Sequence, residues 1–598
     1  MTILIRRIIG LCSAAIFLVV VFRQFSPELL EPDHRFPLAN DKSSARLKQP
    51  VKWKDIPIRH PVTSIVPLPT GKPTTIPRIQ HRFGVETDHN KQKRLERQQA
   101  VKEAFQHSWK GYKEHAWLQD EIAPVSGGFK NGFGQRAATL VDNLDTLIIM
   151  GLDDELKEAL AALKEIDFTT SMETTLNVFE TTIRYLGGLL GAYDLSETKH
   201  SILLEKATEL GDMLYAAFDT PNRMPITRWN WVNAAAGGAQ EALSGSLSAE
   251  LGSLTLEFTR LSQLTGDDKY FDAVERISGH LLKHQNKTRI AGLFPIRVNP
   301  LQEVFNDDRS FTFGGMSDSL YEYLPKQWLL LGGLVPKYRQ MYETAIDVAK
   351  QHLFFRPMNP ENQDLLVAGS LSTSLSGNVK LIPEGQHLAC FAGGMVGMGA
   401  QIFNRSEDLR VARQLVNGCI WAYDSMPSGI MPEIYRLVPC PTYQCRWDEG
   451  VWKSAAQFDA GMGRDQTPDE IIKDDRLPPA FTQLIDPRFL LRPEAIESVF
   501  ILYRITGDHE LLEAAWRMFD AIRTATKTEF AYSSIADVTA PKGLPTKKLD
   551  SCESFWMSET LKYFYLIFSE PHVVSLDEYV LNTEAHPLRR PQVENSWF

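Results

Sequence analysis

The stretch Arg492-Pro493-Glu494-Ala495-Ile496-Glu497-Ser498 sets two carboxylates three residues apart directly behind a proline. Proline at the first position of a helix fixes φ and gives up an N–H that would be unpaired there anyway, so Glu494 and Glu497 are predicted to share one face of a first turn. Acidic residues in a first turn suit the helix dipole and on most helices need no other role. Here the helix continues Val499-Phe500-Ile501-Leu502-Tyr503-Arg504 to Gly507, apolar over most of its circumference, which is the pattern of a buried helix. Buried carboxylates are costly unless paired, hydrogen-bonded or beside a cation, so the pair is a candidate for acid–base chemistry.

Four further stretches carry unusual chemistry. Glu180 and Arg184 stand four apart in Phe179-Glu180-Thr181-Thr182-Ile183-Arg184-Tyr185-Leu186-Gly187-Gly188-Leu189-Leu190. On a surface such a pair is a solvated salt bridge worth ~0.3–0.5 kcal/mol. Two glycines inside a helix cost about 1 kcal/mol each relative to alanine, which makes sense where another backbone must come close, so Glu180 is predicted to be interior. Asp318 follows Gly314-Gly315 at a loop-to-helix junction, where a plain N-cap is the competing reading. Phe555 and Glu559 lie one turn apart, an aromatic beside a carboxylate as in sugar sites, although a core aromatic is the commoner fate. Asn582-Thr583-Glu584-Ala585-His586-Pro587 is a polar cluster near the C-terminus whose default reading is a terminal loop.

The elements that must position these residues are helices. Helical patterns recur in pairs from Gln99 to Phe568, separated by Gly, Pro and Asn/Asp loops, and runs of period-two strand are few. The fold class is therefore all-α, with minor β hairpins, and many helix hairpins in one uninterrupted body suggest an α/α barrel over a bundle or solenoid. Periodicity does not give the number of pairs. Upstream, Arg6-Arg7 precede an uncharged stretch from Ile8 to Phe22 that lacks a small-residue cleavage site, which reads as an uncleaved signal anchor. The expected organisation is a cytosolic segment over 1–7, a membrane span over 8–22, a Pro-rich stem over 23–93 and a lumenal catalytic domain over 94–598. With 43% hydrophobic and 23% charged residues the chain suits a large globular enzyme, and a net charge of −10 argues against nucleic acid as a partner. Cys390, Cys419, Cys440, Cys445 and Cys552 form no C-x-x-C metal pattern, leaving disulfides or free thiols, and sequons at Asn286 and Asn404 fit the secretory pathway.

Taken together the motifs resemble those of the class I α-1,2-mannosidases, glycoside hydrolase family 47. The matching elements are H-S-W-K-G-Y at 107–112, T-L-V-D-N-L-D-T-L at 139–147, F-E-T-T-I-R-Y-L-G-G-L-L, D-S-L-Y-E-Y, H-L-A-C-F at 387–391, L-R-P-E-A-I-E-S, E-S-F-W and N-T-E-A-H-P, in family order from about Gln99 to Pro587. The resemblance implies an (α/α)7 barrel, bound Ca²⁺, and inverting hydrolysis of terminal α-1,2-mannose from high-mannose N-glycans on glycoproteins. By motif, Glu180 corresponds to the general acid, Glu494 to the favoured base and Asp318 to a third catalytic carboxylate. Thr583 corresponds to the calcium ligand, and Arg184, His387, Arg492, Glu497, Phe555, Glu559 and Glu584 to positions lining the sugar site. The resemblance also implies a Cys390–Cys419 disulfide.

Some features depart from the family pattern. Pro325 follows D-S-L-Y-E-Y and should kink that helix; Phe133-Gly134-Gln135-Arg136 and Cys552 differ from common family choices; and a segment resembling an insertion, roughly Leu437 to Asp486, holds Cys440 and Cys445, a candidate local disulfide. Met316 stands where single-mannose-removing relatives of the endoplasmic reticulum resemble one another in having arginine, which implies broader trimming. The expected location is the membrane of the Golgi or endoplasmic reticulum, single-pass and type II. The alternative from another class is a mannose-binding quality-control protein that shares the barrel and hydrolyses weakly or not at all.

Overall fold

A computed structural model describes residues 50–441, 445–461, 463–540 and 544–591. The expected cytosolic segment, the anchor over 8–22 and the first part of the stem lie outside the described residues. Among those described, no helix is long and apolar enough to cross a membrane.

Seven helices form an inner ring: Leu144–Ile149, Gly187–Leu195, Thr255–Thr265, Asp318–Leu330, Phe391–Ile402, Glu494–Thr506 and Leu561–Ile567. Each is backed by an outer helix, in turn Asp153–Leu163, Ser201–Tyr215, Asp268–His284, Pro336–His352, Ser406–Asp424, His509–Thr526 and, from the start of the body, Asp88–His115. Successive inner helices pack on one another. The circle closes where the turn Trp556–Thr560, leading into the last inner helix, meets Leu144–Ile149. This is the (α/α)7 barrel, and the sequence shows why the rings differ. Outer helices bury one stripe, as Tyr270, Phe271, Val274, Ile277 and Leu281 do on Asp268–His284. Inner helices are covered all round, and Phe391–Ile402 leaves only Gln401 partly open. The Cys390–Cys419 disulfide ties the start of that inner helix to its outer partner, and Cys440 and Cys445 are also joined. Cys552 is a buried free thiol.

The helix starting at Asp318 runs through Pro325 to Leu330; one hydrogen bond is forgone there, and burial of every residue from Ser319 to Leu330 holds the helix together. One sequence expectation is corrected here: the folded body starts well before Arg94. Residues 50–87 form a belt along the outer helices, burying Trp53 and Ile79. Apart from the 3-10 turn Trp53–Asp55, prolines keep this segment out of helix and ladder, so its backbone N–H groups find carboxylates of the barrel instead. Val66 N donates to Asp272 at 2.8 Å, Leu68 N to Asp268 at 3.0 Å, and Ile79 N to Asp577 at 2.7 Å. Arg59 N and His60 N share the two oxygens of Asp219, each at 2.8 Å.

Short strands fill the inter-helix loops. In the antiparallel sheet Glu384–Gln386, Ile434–Leu437, Phe481–Asp486, the first strand leads into His387 and the third towards Glu494. The expected insertion is an excursion between the second and third of these strands, with its own small core of Met358, Val438 and Trp452. The last two strands, Tyr579–Leu581 and Pro587–Arg589, pair as a hairpin whose five-residue turn, 582–586, is the polar cluster read from sequence as a terminal loop.

Candidate active site

The side chains singled out by sequence gather in a well at the centre of the inner ring, on loops and first turns. Glu180 ends a single turn whose Asn177 side chain caps the Glu180 N–H at 3.2 Å. The chain then widens into a π-helical turn, Thr181–Leu186, before Gly187–Leu195 resumes the α form. Such turns are rare and concentrate at functional sites, because they reset which face a side chain points from. Arg184 lies within this turn. Its Nε donates to Glu180 Oε2 at 2.9 Å, and one Nη1 serves Ser554 Oγ at 3.0 Å and Glu584 Oε2 at 3.3 Å. The guanidinium sits over the rings of Phe133 and Phe555, 4.8 and 5.6 Å from their centroids. Arg184 is buried, while Glu180 keeps 23% of its side chain open to the well.

Glu494 opens the helix predicted for it, one residue after Pro493. Its Oε2 is 2.9 Å from His387 Nδ1, whose Nε2 meets Tyr423 OH at 2.8 Å. Arg492 donates through Nε to Glu433 Oε2 at 2.6 Å and lies 5.8 Å from the Phe555 centroid. Burial acts to raise the Glu494 carboxyl, but the His387 hydrogen bond, the His387 charge and Arg492 outweigh it and hold the group below its ordinary range. Asp318 is driven the other way. Burial pushes it up to about 7 against the Ser319 N–H bond, and the charges of Glu494 and Glu322 add to the rise.

The third part is the hairpin turn. Asn582 organises it: its Oδ1 accepts from Glu584 N at 3.0 Å and His586 N at 2.8 Å, and its Nδ2 donates to Ile183 O at 3.0 Å. The glycines of the Glu180 helix are explained by what lies against them. A Cβ on Gly187 would fall 2.6 Å from Asn582 Nδ2, and one on Gly188 would fall 2.6 Å from the Val141 carbonyl oxygen. Thr583 sits at the tip, half-buried, its N–H 3.3 Å from Tyr323 OH. Around it burial pushes Glu497 up to about 8 and Glu584 up to about 7, and raises Glu559 well above the carboxylate range. Lys326 partly offsets this for Glu497, at 3.4 Å, while Glu559 and Glu584 repel and hydrogen-bond one another. Among the described residues, no three His, Cys, Asp or Glu side chains form a direct ligand set. The buried carboxyls of Glu497, Glu559 and Glu584 are a hard oxygen donor set whose burial a nearby hard cation would relieve.

Met316 holds a left-handed φ of 78°, its carbonyl accepting from Ala249 N at 3.0 Å, two residues before Asp318. Sequence reading missed the supports. Glu433, Tyr423 and Lys326 were assigned nothing, and Tyr323 stood in the quoted D-S-L-Y-E-Y motif without a role. Asp142 and Asp145 stood in a quoted motif without a role, and both are fully buried.

The closed double ring of helices, with these carboxyls gathered at the inner helices, is an α/α barrel. The chain belongs to glycosyl hydrolase family 47, whose profile matches residues 104–590. The endoplasmic reticulum mannosyl-oligosaccharide 1,2-alpha-mannosidase of Homo sapiens is 36% identical over 82% of this chain, and the match spans 64% of the human protein's length. A mannosyl-oligosaccharide 1,2-alpha-mannosidase of Arabidopsis thaliana is 36% identical over 83% of this chain and 79% of its own. The structure of an alpha-1,2-mannosidase from Trichoderma reesei superposes with a TM-score of 0.72 at 32% identity, covering 83% of this chain and 99% of that one.

Proposed function

We propose that this chain hydrolyses terminal α-1,2-linked mannose from high-mannose N-glycans, with inversion at the anomeric carbon and a bound Ca²⁺. The observation that carries the mechanism is the opposite tuning of two neighbouring carboxyls. Glu494, held ionised by His387 and Arg492, is in the state a general base requires; Asp318, pushed up to about 7, suits a group that donates a hydrogen bond near neutrality. Glu180, fixed by Arg184, serves as the general acid. In the reaction Glu494 takes a proton from water as its oxygen bonds to the anomeric carbon, while Glu180 gives its proton to the departing glycosidic oxygen. Phe555 offers an apolar floor for the sugar, and Arg184 and Arg492 hold charge along its rim. Thr583 would hold the ion, which supplies a hard, water-exchanging centre for sugar hydroxyls.

Met316 offers apolar contact and no donor where a guanidinium would clamp one glycan branch, so several branches should enter with similar transition-state binding. The reading is therefore progressive trimming towards Man5, in the lumen of the Golgi or endoplasmic reticulum, with residues 8–22 as a type II bilayer anchor. Incubation of the protein with a Man9 glycan, with products mapped by mass spectrometry and the released anomer followed by NMR, tests it. Release of β-mannose in successive steps is the expected result; retained α-mannose, or glycan bound but left intact, would overturn it.

A further inference from the structure

The best-connected buried group in the barrel is one the mechanism above does not use. His586, fully buried, places Nδ1 2.8 Å from Asp145 Oδ2 and Nε2 3.0 Å from Asp142 Oδ1. Lys562, also fully buried, reaches the same Asp145 oxygen at 2.8 Å and donates to the Ala585 carbonyl at 2.9 Å. The other oxygen of Asp142 accepts from Ser558 Oγ at 2.8 Å and lies 4.0 Å from Arg184 Nη1. A continuous set of polar contacts thus runs from Lys562 through Asp145, His586 and Asp142 to Arg184, and Arg184 is the residue that holds Glu180. The same turn grips Arg184 a second time through Glu584. Steric contact closes the unit: a Cβ on Gly187 would fall 2.8 Å from His586 Cδ2, and one on Gly191 would fall 3.1 Å from His586 Cβ, so the turn lies directly on the helix that carries the acid.

We propose that His586 is a positioning residue that fixes the Thr583 turn to the Glu180 helix, so that one imidazole sets both the placement of the ion's ligand and the orientation of the general acid. A core histidine kept only for stability needs one satisfied partner on each nitrogen. Here both partners are carboxylates on one pair of short helices, Ala138–Asp142 and Leu144–Ile149, and the pair stands between the turn and Arg184. An apolar side chain of the same size would leave two buried carboxylates without that donor and release the turn. The proposal rests on the functional reading above, from which it takes the roles of Thr583 and Glu180.

The test compares His586→Gln with wild type in the detergent-solubilised full chain, measuring kcat and KM on a Man9 glycan, the calcium dissociation constant by chelator competition, and the calcium-free melting point. A folded variant with kcat reduced at least tenfold, KM within about twofold, and calcium bound at least fivefold more weakly is the expected outcome. An interaction realised only in the transition state lowers kcat without raising KM. A folded variant with wild-type calcium affinity and unchanged kcat would overturn the proposal, as would a fall in kcat matched by a rise in KM at unaltered calcium affinity. Should His586→Gln not fold, Asp142→Asn, which keeps an acceptor for Nε2, is read by the same criteria. If wild type releases no mannose, the functional reading fails, and the calcium constants alone still decide whether His586 fixes the turn.

Discussion

Glu494 and Asp318 are both buried carboxyls, yet one is held low and the other pushed up, and the difference lies in their partners. Glu494 has the His387 hydrogen bond and charge as well as Arg492, whereas Asp318 has one backbone N–H and a weaker pull from Arg492 set against the charges of Glu494 and Glu322. Replacing Glu494 with Gln keeps the shape and removes the base; kcat should fall about 10²–10⁴-fold with KM little changed, which steady-state kinetics on a Man9 glycan will check. Thr583→Ala deletes one oxygen ligand and should weaken calcium binding in a chelator titration, with activity recovering at higher calcium. Met316→Arg restores a directional five-donor fork and should shift the products from a ladder of shorter glycans towards a single Man8 isomer. At this scale the sequence was readable wherever a charged residue interrupted an apolar helix, as at Glu180 and Glu494. It was silent where a support such as Glu433 or Tyr423 lies far away along the chain and touches the site only through the fold.

The elements repeat this contrast. The apolar coverage of the Glu494 helix pointed to burial, and the glycines at 187 and 188 pointed to a close neighbour, but neither could say which neighbour. The count of seven pairs depends on closure, a property of contacts between distant residues such as Trp556 and the Leu144 helix. Minor hairpins were expected, but individual strands could not be placed because segments of two to six residues carry too little alternation to register, and the hairpin turn 582–586 looked like a tail because nothing local records that it is buried. The disulfide between the fifth pair of helices makes a prediction at this level. Cys390→Ser should cost ~2–4 kcal/mol and lower the yield of folded protein and its melting point, while kcat of the surviving fraction stays near wild type.

For the whole molecule, buried groups set the response to pH. Asp318, raised to about 7, and His586, raised to about 9 by Asp145 and Asp142 against the cost of burial, both bind protons more tightly folded than unfolded. Each therefore contributes stability that is fully present below its unfolded value and is lost as pH climbs through the folded one. The calcium-free melting point should fall by several degrees between about pH 6 and pH 9, a trend that differential scanning calorimetry in chelator will check. The belt makes a second prediction. Deleting residues 1–49 leaves every belt contact in place, whereas deleting 1–87 strips Trp53 and Ile79 from their pockets and leaves Asp219, Asp268, Asp272 and Asp577 without the N–H groups they accept. The longer deletion should melt lower and aggregate more readily.

The belt also shortens the leash. If the bilayer anchor ends at Phe22, a stem reaching to residue 93 would offer about 70 residues of slack, but the chain is already bound to the barrel from Val51. The 28 residues from 23 to 50 remain between them, and even fully extended they span no more than ~100 Å. Anchored so, the site would reach only glycans presented within one such length of the membrane face, and cargo held deeper in the lumen would have to come to it.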